Sequence, residues 1–201
     1  CGAPCNGGET VEQYARHADE VREAFTADAS HLVSRLLRRI ERLSGAQRYE
    51  DAAVHRNRLA AFVRAAARSQ RMAALAAVAE LAAARRLELG GWEMHVIRYG
   101  RLVAAGTSPP GAHPRPYLDA LLATAETVTP APPPLPAATA EEAECILRWL
   151  EQPGTRLVEI AGNWSLPARS AWSFMDLVDA AGQAPAAARP FDDRRALRPR
   201  A

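Results

Sequence analysis

The chain has 201 residues, 48% of them hydrophobic and 24% charged, which suits one medium domain or two small ones and excludes both a large multidomain enzyme and a wholly disordered chain. Every one of its 25 basic residues is arginine, against 23 acids, for a net charge of +2; GC-rich coding accounts for that usage as easily as any function does. No apolar run approaches the length of a membrane span and no export signal is visible. Three cysteines make no even disulfide framework, so a cytoplasmic, reducing setting is expected.

The small net charge hides a partition. Residues 1–34 carry 2 Arg against 6 acids, residues 35–86 carry 12 Arg against 4, and the remainder carries 11 against 13. A basic block of this kind attracts phosphate backbones, or it is the solvated face of helices. The turn signal Asn6-Gly7-Gly8 precedes Thr10, and Gln13 three residues later has the spacing of a capping box. Val11, Tyr14, Ala18, Val21 and Phe25 then recur at steps of three and four, predicting a helix with one apolar face. A second helix fits Asp28 or Ser30 to Leu43. Leu32, Val33, Leu36, Leu37, Ile40 and Leu43 form its stripe, Arg35, Arg38, Arg39 and Arg42 lie largely off it, and Ser44-Gly45 supplies the stop. A third helix starts near Ala46 or Gln47 and is expected to run towards Leu89, with a break near Ser69-Gln70 as an alternative.

After Gly90-Gly91 the period changes to alternation. Trp92, Met94 and Val96 fall on one face and Glu93 and His95 on the other, Tyr99-Gly100 interrupts, and Arg101-Leu102-Val103 follows, predicting a strand hairpin. A short helix over Tyr117 to Thr127 comes next. The run PAPPPLP at 130–136 has no regular structure available to it, because proline lacks the N–H donor and fixes φ. A helix over Ala140 to Glu151, a strand over Arg156 to Ala161 and a helix over Ser170 to Ala181 complete the series, and the Ala/Pro/Arg-rich remainder is read as disordered.

Phosphate-binding, zinc-protease, serine-hydrolase and dinucleotide motifs are all missing from the sequence. The five histidines are scattered singly, and no acidic group resembles the paired carboxylates of a two-metal nuclease. Glu141, Glu142 and Glu144 read as complements to a helix N-terminus, Cys145 as a small buried hydrophobe, and Trp149, Trp164 and Trp172 as packing for a small domain. Cys1 and Cys5 place two soft ligands a turn apart. That leaves zinc and an iron–sulfur cluster equally open, and two ligands cannot close a four-ligand site.

The segments CGAPCNGGETVEQYARHADEV and LSGAQRYEDAAVHRNRLAAF resemble, in order and spacing, two consecutive signatures of UvrC-type excinucleases. The first resembles the end of the cysteine-rich segment that follows the family's GIY-YIG nuclease domain. The second resembles the UVR motif, a helical hairpin that contacts UvrB in nucleotide excision repair; Tyr49, Glu50, Ala52, Ala53 and Arg56 match it, and Asn57 stands where the motif has an aspartate. WEMHVIRYGRLVAAG is similar to the strand pair that follows the hairpin, and ILRWLEQPGTRLVEIAGNWSLP is similar to the C-terminal part of an actinobacterial subfamily that fuses a DnaQ-like 3′–5′ exonuclease to a UvrC/Cho-like region.

The expected fold is mainly α: a UVR-like helical hairpin followed by a small α/β module, with a Pro-rich linker and a disordered C-terminal tail. The expected divisions are 1–27 (end of the cysteine-rich segment and first helix), 28–89 (hairpin and long helix), 90–129 (strand hairpin and helix), 130–139 (linker), 140–182 (helix–strand–helix) and 183–201 (tail). The resemblance implies a noncatalytic C-terminal portion of a DNA repair nuclease that docks to a UvrB-like protein through Tyr49, Glu50, Ala52, Ala53, Arg56, Asn57 and Leu59. It also implies that Cys1 and Cys5, with further cysteines upstream, hold an iron–sulfur cluster in the parent protein, which acts on DNA and involves no membrane. The alternative is an arginine-rich arm in which Arg35, Arg38, Arg39 and Arg42 contact DNA without a UvrB partner.

Overall fold

The computed structural model describes residues 2–183; Cys1 and the tail from 184 onward, including the expected disorder there, lie outside the described residues. The Thr10/Gln13 capping box forms, with Thr10 N donating to Gln13 Oε1 at 2.8 Å and Gln13 N to Thr10 Oγ1 at 3.2 Å, and it opens α1 (Val11–Thr26). Helix α2 (Ser30–Gly45) follows a tight joint in which Asp28 accepts a hydrogen bond from Ser30 N at 2.8 Å. Helix α3 (Tyr49–Ala76) returns antiparallel to α2 with no break at Ser69-Gln70. The α2–α3 seam contains Val33, Leu59, Val63, Ala66 and Ala67, all buried, with Leu36, Leu37 and Ile40 packed against them. Small residues in this seam let the two backbones approach closely.

The stripe expected on α1 is used only at its C-terminal end. Ala24 is buried and Phe25 meets Phe62 edge-on, with ring centroids 5.6 Å apart. Val11, Tyr14 and Val21 are exposed, because no other described element covers that part of α1.

The third helix stops at Ala76, well short of the expected Leu89. Its last turn closes through Ala77 N to Ala73 O, and Val78 then accepts from Tyr99 N at 3.0 Å. The chain from Glu80 to Arg86 forms strand β1 instead of continuing the helix. Strands β2 (Trp92–Arg98) and β3 (Arg101–Ser108) form the expected hairpin, with both Tyr99 and Gly100 at positive φ as a two-residue turn matched to strand twist requires. After α4 (Arg115–Thr124) and α5 (Ala140–Leu150), β4 (Thr155–Ala161) pairs antiparallel with β1, completing a four-stranded sheet in the order β3-β2-β1-β4. The C-terminal segment therefore supplies one edge of the sheet that the central hairpin begins. A register shift between Ala82 and Ala83 marks a bulge in the β1–β4 pairing.

β1 is central and covered on both faces. Leu81 and Ala83 join Ile97, Ile146, Leu147, Trp149 and Leu150 under α5, whereas Ala82 and Ala84 join Met94, Val96 and Leu118 under α4. The proline-rich run takes up neither helix nor strand. It passes over the hairpin turn, where Ala137 N donates to Tyr99 O at 2.8 Å. A short 3-10 turn (Ala171–Phe174) and α6 (Met175–Gln183) then return to the helical part, placing Ala171 and Val178 against the α2–α3 seam. No helix among the described residues is long and apolar enough to cross a membrane.

Candidate functional site

The tip of the α2–α3 hairpin brings together some of the expected partner-binding residues and separates others. Ala52 and Leu59, 6% and 2% exposed, point into the intramolecular seam and are not available to a partner. Tyr49 is 60% exposed and Val54 47%. Ala53 and Arg56 are half-buried and Glu50 and Asn57 exposed. Helical periodicity puts Tyr49, Ala53, Arg56 and Ala60 on one flank of the seam. Further along α3 that flank is covered by α6, where Val178 enters the core and Arg64 faces Asp179 at 3.6 Å. Towards the tip the same flank is open. The ion pair at the tip among the described residues is Arg48 with Asp51, at 2.6 Å.

The basic face of α2 does not stand free as a block. Arg35 is bound to Glu20 of α1 at 2.8 Å. Arg35 and Arg38 share a groove with Glu20, Glu23 and Asp28, so acids of α1 and the joint offset part of the field a phosphate would meet. Arg39 and Arg42 are exposed. Hydrogen bonds from Ser30 hold the Asp28 carboxyl below its ordinary range, helped by Arg169.

Cys5 lies exposed in the 3-10 turn Pro4–Asn6, and Cys1 lies outside the described residues. Among the described residues no three His, Cys, Asp or Glu groups come close enough to hold a metal ion. One thiol falls short of the set that zinc or an iron–sulfur cluster requires, so these residues alone do not fit such a group. Cys145 is exposed, not buried as expected: it sits on the outer face of α5, where its sulfur accepts from Arg148 at 3.1 Å.

Two arrangements were not anticipated from the sequence. Under α5, Glu93 Oε2 accepts from Arg85 at 2.7 Å and from the Trp149 indole at 3.0 Å, while His95 stacks on Trp149 with centroids 3.8 Å apart. Burial pushes the Glu93 carboxyl up, but the hydrogen bonds from Trp149 and Arg85 outweigh it and hold the group below its usual range. Burial pushes the His95 imidazole below its usual 6.5, more than the nearby Glu93 raises it. The alternation of Glu93 and His95 gave their shared face, but their partner Trp149 lies far along the chain. The second arrangement joins α3, α5 and the last turn. Here Arg71 is ion-paired with Glu151 and lies over the ring of Trp172, 5.0 Å from its centroid, and Arg68 is ion-paired with Glu144, holding that carboxyl below its ordinary range.

No family model matches the chain, and no solved structure matches it. Over 167 residues the chain is 36% identical to a Mycobacterium tuberculosis (strain CDC 1551 / Oshkosh) protein named as a bifunctional exonuclease/endonuclease. The match covers 81% of this chain and 26% of that protein. The chain thus spans about a quarter of the relative's length, and its similarity is to a part of a protein named as a nuclease.

Proposed function

We propose that the chain is a noncatalytic docking portion of a UvrC/Cho-like DNA repair nuclease, and that it contacts a UvrB-like protein through the α2–α3 hairpin. The observation that carries this reading is the half-covered seam. One flank of the hairpin is closed by α6 around Val63 and Ala67 but open around Tyr49, Ala53 and Arg56. A hairpin of two helices buries too little apolar surface by itself, and a second hairpin laid along the open flank would extend the packing α6 begins. Small side chains at Ala53 and Ala60 allow such an approach, Tyr49 offers a large amphipathic contact, and Arg56 has a charge for a partner carboxylate. The relative named as a bifunctional exonuclease/endonuclease supports a nuclease context.

The pairing of Arg35 with Glu20 counts against the rival in which α2 is a DNA-binding arm. Calorimetric titration of the chain with the cognate UvrB-like protein and with duplex DNA tests the choice. Docking predicts saturable protein binding that Ala53→Arg abolishes and Arg39→Ala leaves unchanged. DNA binding that falls with Arg38→Ala and Arg39→Ala, without protein binding, would replace this reading by the rival.

A further inference from the structure

The groove between α3, α5 and the Ala171–Phe174 turn combines aromatic and cationic groups in a way that packing does not require. Trp172 stands 47% exposed, although an indole at a joint of three elements has ample apolar surface to bury. Arg71 lies over its ring. With Trp164, Leu147, Leu166 and Glu151, these residues bound a groove of about 350 Å³. Through Arg71 and Leu147 the groove continues into a depression of about 270 Å³ lined by Arg68, Arg148 and Glu144. Arg148 donates to the Cys145 sulfur and acts on the Glu144 carboxylate only from a distance, without a salt bridge to it.

We propose that this groove binds a nucleotide unit of single-stranded nucleic acid, with the base against Trp172 and Trp164 and the phosphate at Arg148, Arg68 and Arg71. Every base has a π-face, so an indole platform beside a guanidinium takes bases without regard to sequence. Three guanidiniums line the two depressions against Glu144 and Glu151, with Glu141 acting on Arg68 from further off. The acids are partners in exposed ion pairs, which contribute little, so a phosphate replaces a carboxylate on Arg68 or Arg71 at small cost, and Arg148 needs no exchange. An acidic peptide would satisfy the guanidiniums but leave the indole unused. The site lies away from the hairpin tip and does not depend on the docking reading.

The experiment titrates the full chain with a short fluorescently labelled oligothymidylate at low salt, reading anisotropy and tryptophan quenching, with far-UV circular dichroism to confirm folding. The wild type should bind saturably with quenching. Trp172→Ala should lose roughly ten-fold or more in affinity, whereas Trp172→Tyr keeps most of it. Arg148→Ala, on the outer face of α5, should lower the salt slope by about 0.7; this variant decides the matter should Trp172→Ala unfold. Thymidine monophosphate that displaces the oligomer identifies a free nucleotide as sufficient, and failure to displace it identifies the strand, both in line with the proposal. No saturable binding, equal binding by the wild type and Arg148→Ala, or equal displacement by polyglutamate would overturn it.

Discussion

Gln70 is the side chain whose replacement should most clearly separate a working joint from incidental packing. It is 2% exposed and reaches in two directions: its Nε2 donates to Ala24 O at 3.0 Å and its Oε1 accepts from Ala171 N at 2.8 Å. Both partners are buried main-chain groups, one at the end of α1 and one opening the last 3-10 turn. Gln70→Met keeps the volume and the helix propensity but orphans both groups, at about 1–3 kcal/mol each. The apolar burial that methionine gains returns at most about 1 kcal/mol. The net loss is therefore about 1–5 kcal/mol, or a fall in Tm of about 2–20 °C for a chain of this size. Thermal and urea unfolding followed by far-UV circular dichroism give both quantities. Gln70→Glu should also destabilise, because a carboxylate cannot donate to Ala24 O. A loss below about 1 kcal/mol for Gln70→Met would refute the reasoning, since buried main-chain groups would then have been left unpaired at no cost.

Gly91 has φ +81°, and an added Cβ would sit 2.3 Å from Ser108 O; Gly91→Ala should therefore lower stability by about 2 kcal/mol or more, read from urea midpoints, because backbone at the start of the β2–β3 ladder must move. The Glu93–His95 cluster sets a pH dependence. Both groups titrate below their ordinary values in the fold, so the unfolded chain binds more protons and stability falls as pH drops from about 7 through the ordinary values of His and then Glu. His95→Phe should flatten the upper part of that profile while Trp149 keeps its indole bond to Glu93, and an unchanged slope above about pH 5 would contradict it. Arg56→Ala should weaken binding to the UvrB-like partner by about 1–3 kcal/mol if a partner carboxylate becomes partly buried, and calorimetry distinguishes that from a rim pair costing well under about 1.

What could be read from the sequence was local. The Thr10/Gln13 box, the apolar stripe of α2 and the Tyr99-Gly100 turn each depend on residues within a few positions, and each forms. β1 was not legible. Glu80-Leu-Ala-Ala-Ala-Arg-Arg continues an alanine-rich helix with no glycine or proline to stop it, and alanine is a poor strand former. Tertiary structure overrides that preference: β1 is the strand between α4 and α5, where Ala82, Ala83 and Ala84 are small enough for helices to close on both faces. Glu80 then receives two hydrogen bonds from Arg98, at 2.6 and 2.8 Å, which no local pattern signals. The same holds for function. The residues of the hairpin tip were visible because they are contiguous, but burial divides them, taking Ala52 and Leu59 inward and leaving Tyr49, Ala53 and Arg56 at the open flank. The Arg71–Trp172 groove joins residues about a hundred positions apart, beyond any spacing rule. Cys145 departs from the buried position expected of it because its apolar neighbour, Ile146, faces the core while the sulfur one residue earlier faces out.

Docking of one protein partner by the hairpin is measured by titrating the cognate UvrB-like protein into the wild-type chain and into Ala53→Arg under identical buffer and salt. Arginine at residue 53 places bulk and charge on the open flank without entering the α2–α3 seam, so folding should be preserved while docking is lost. The wild type should bind saturably and the variant not measurably at matched circular dichroism. Equal affinity for the two chains, or no binding by the wild type, would contradict docking by the hairpin.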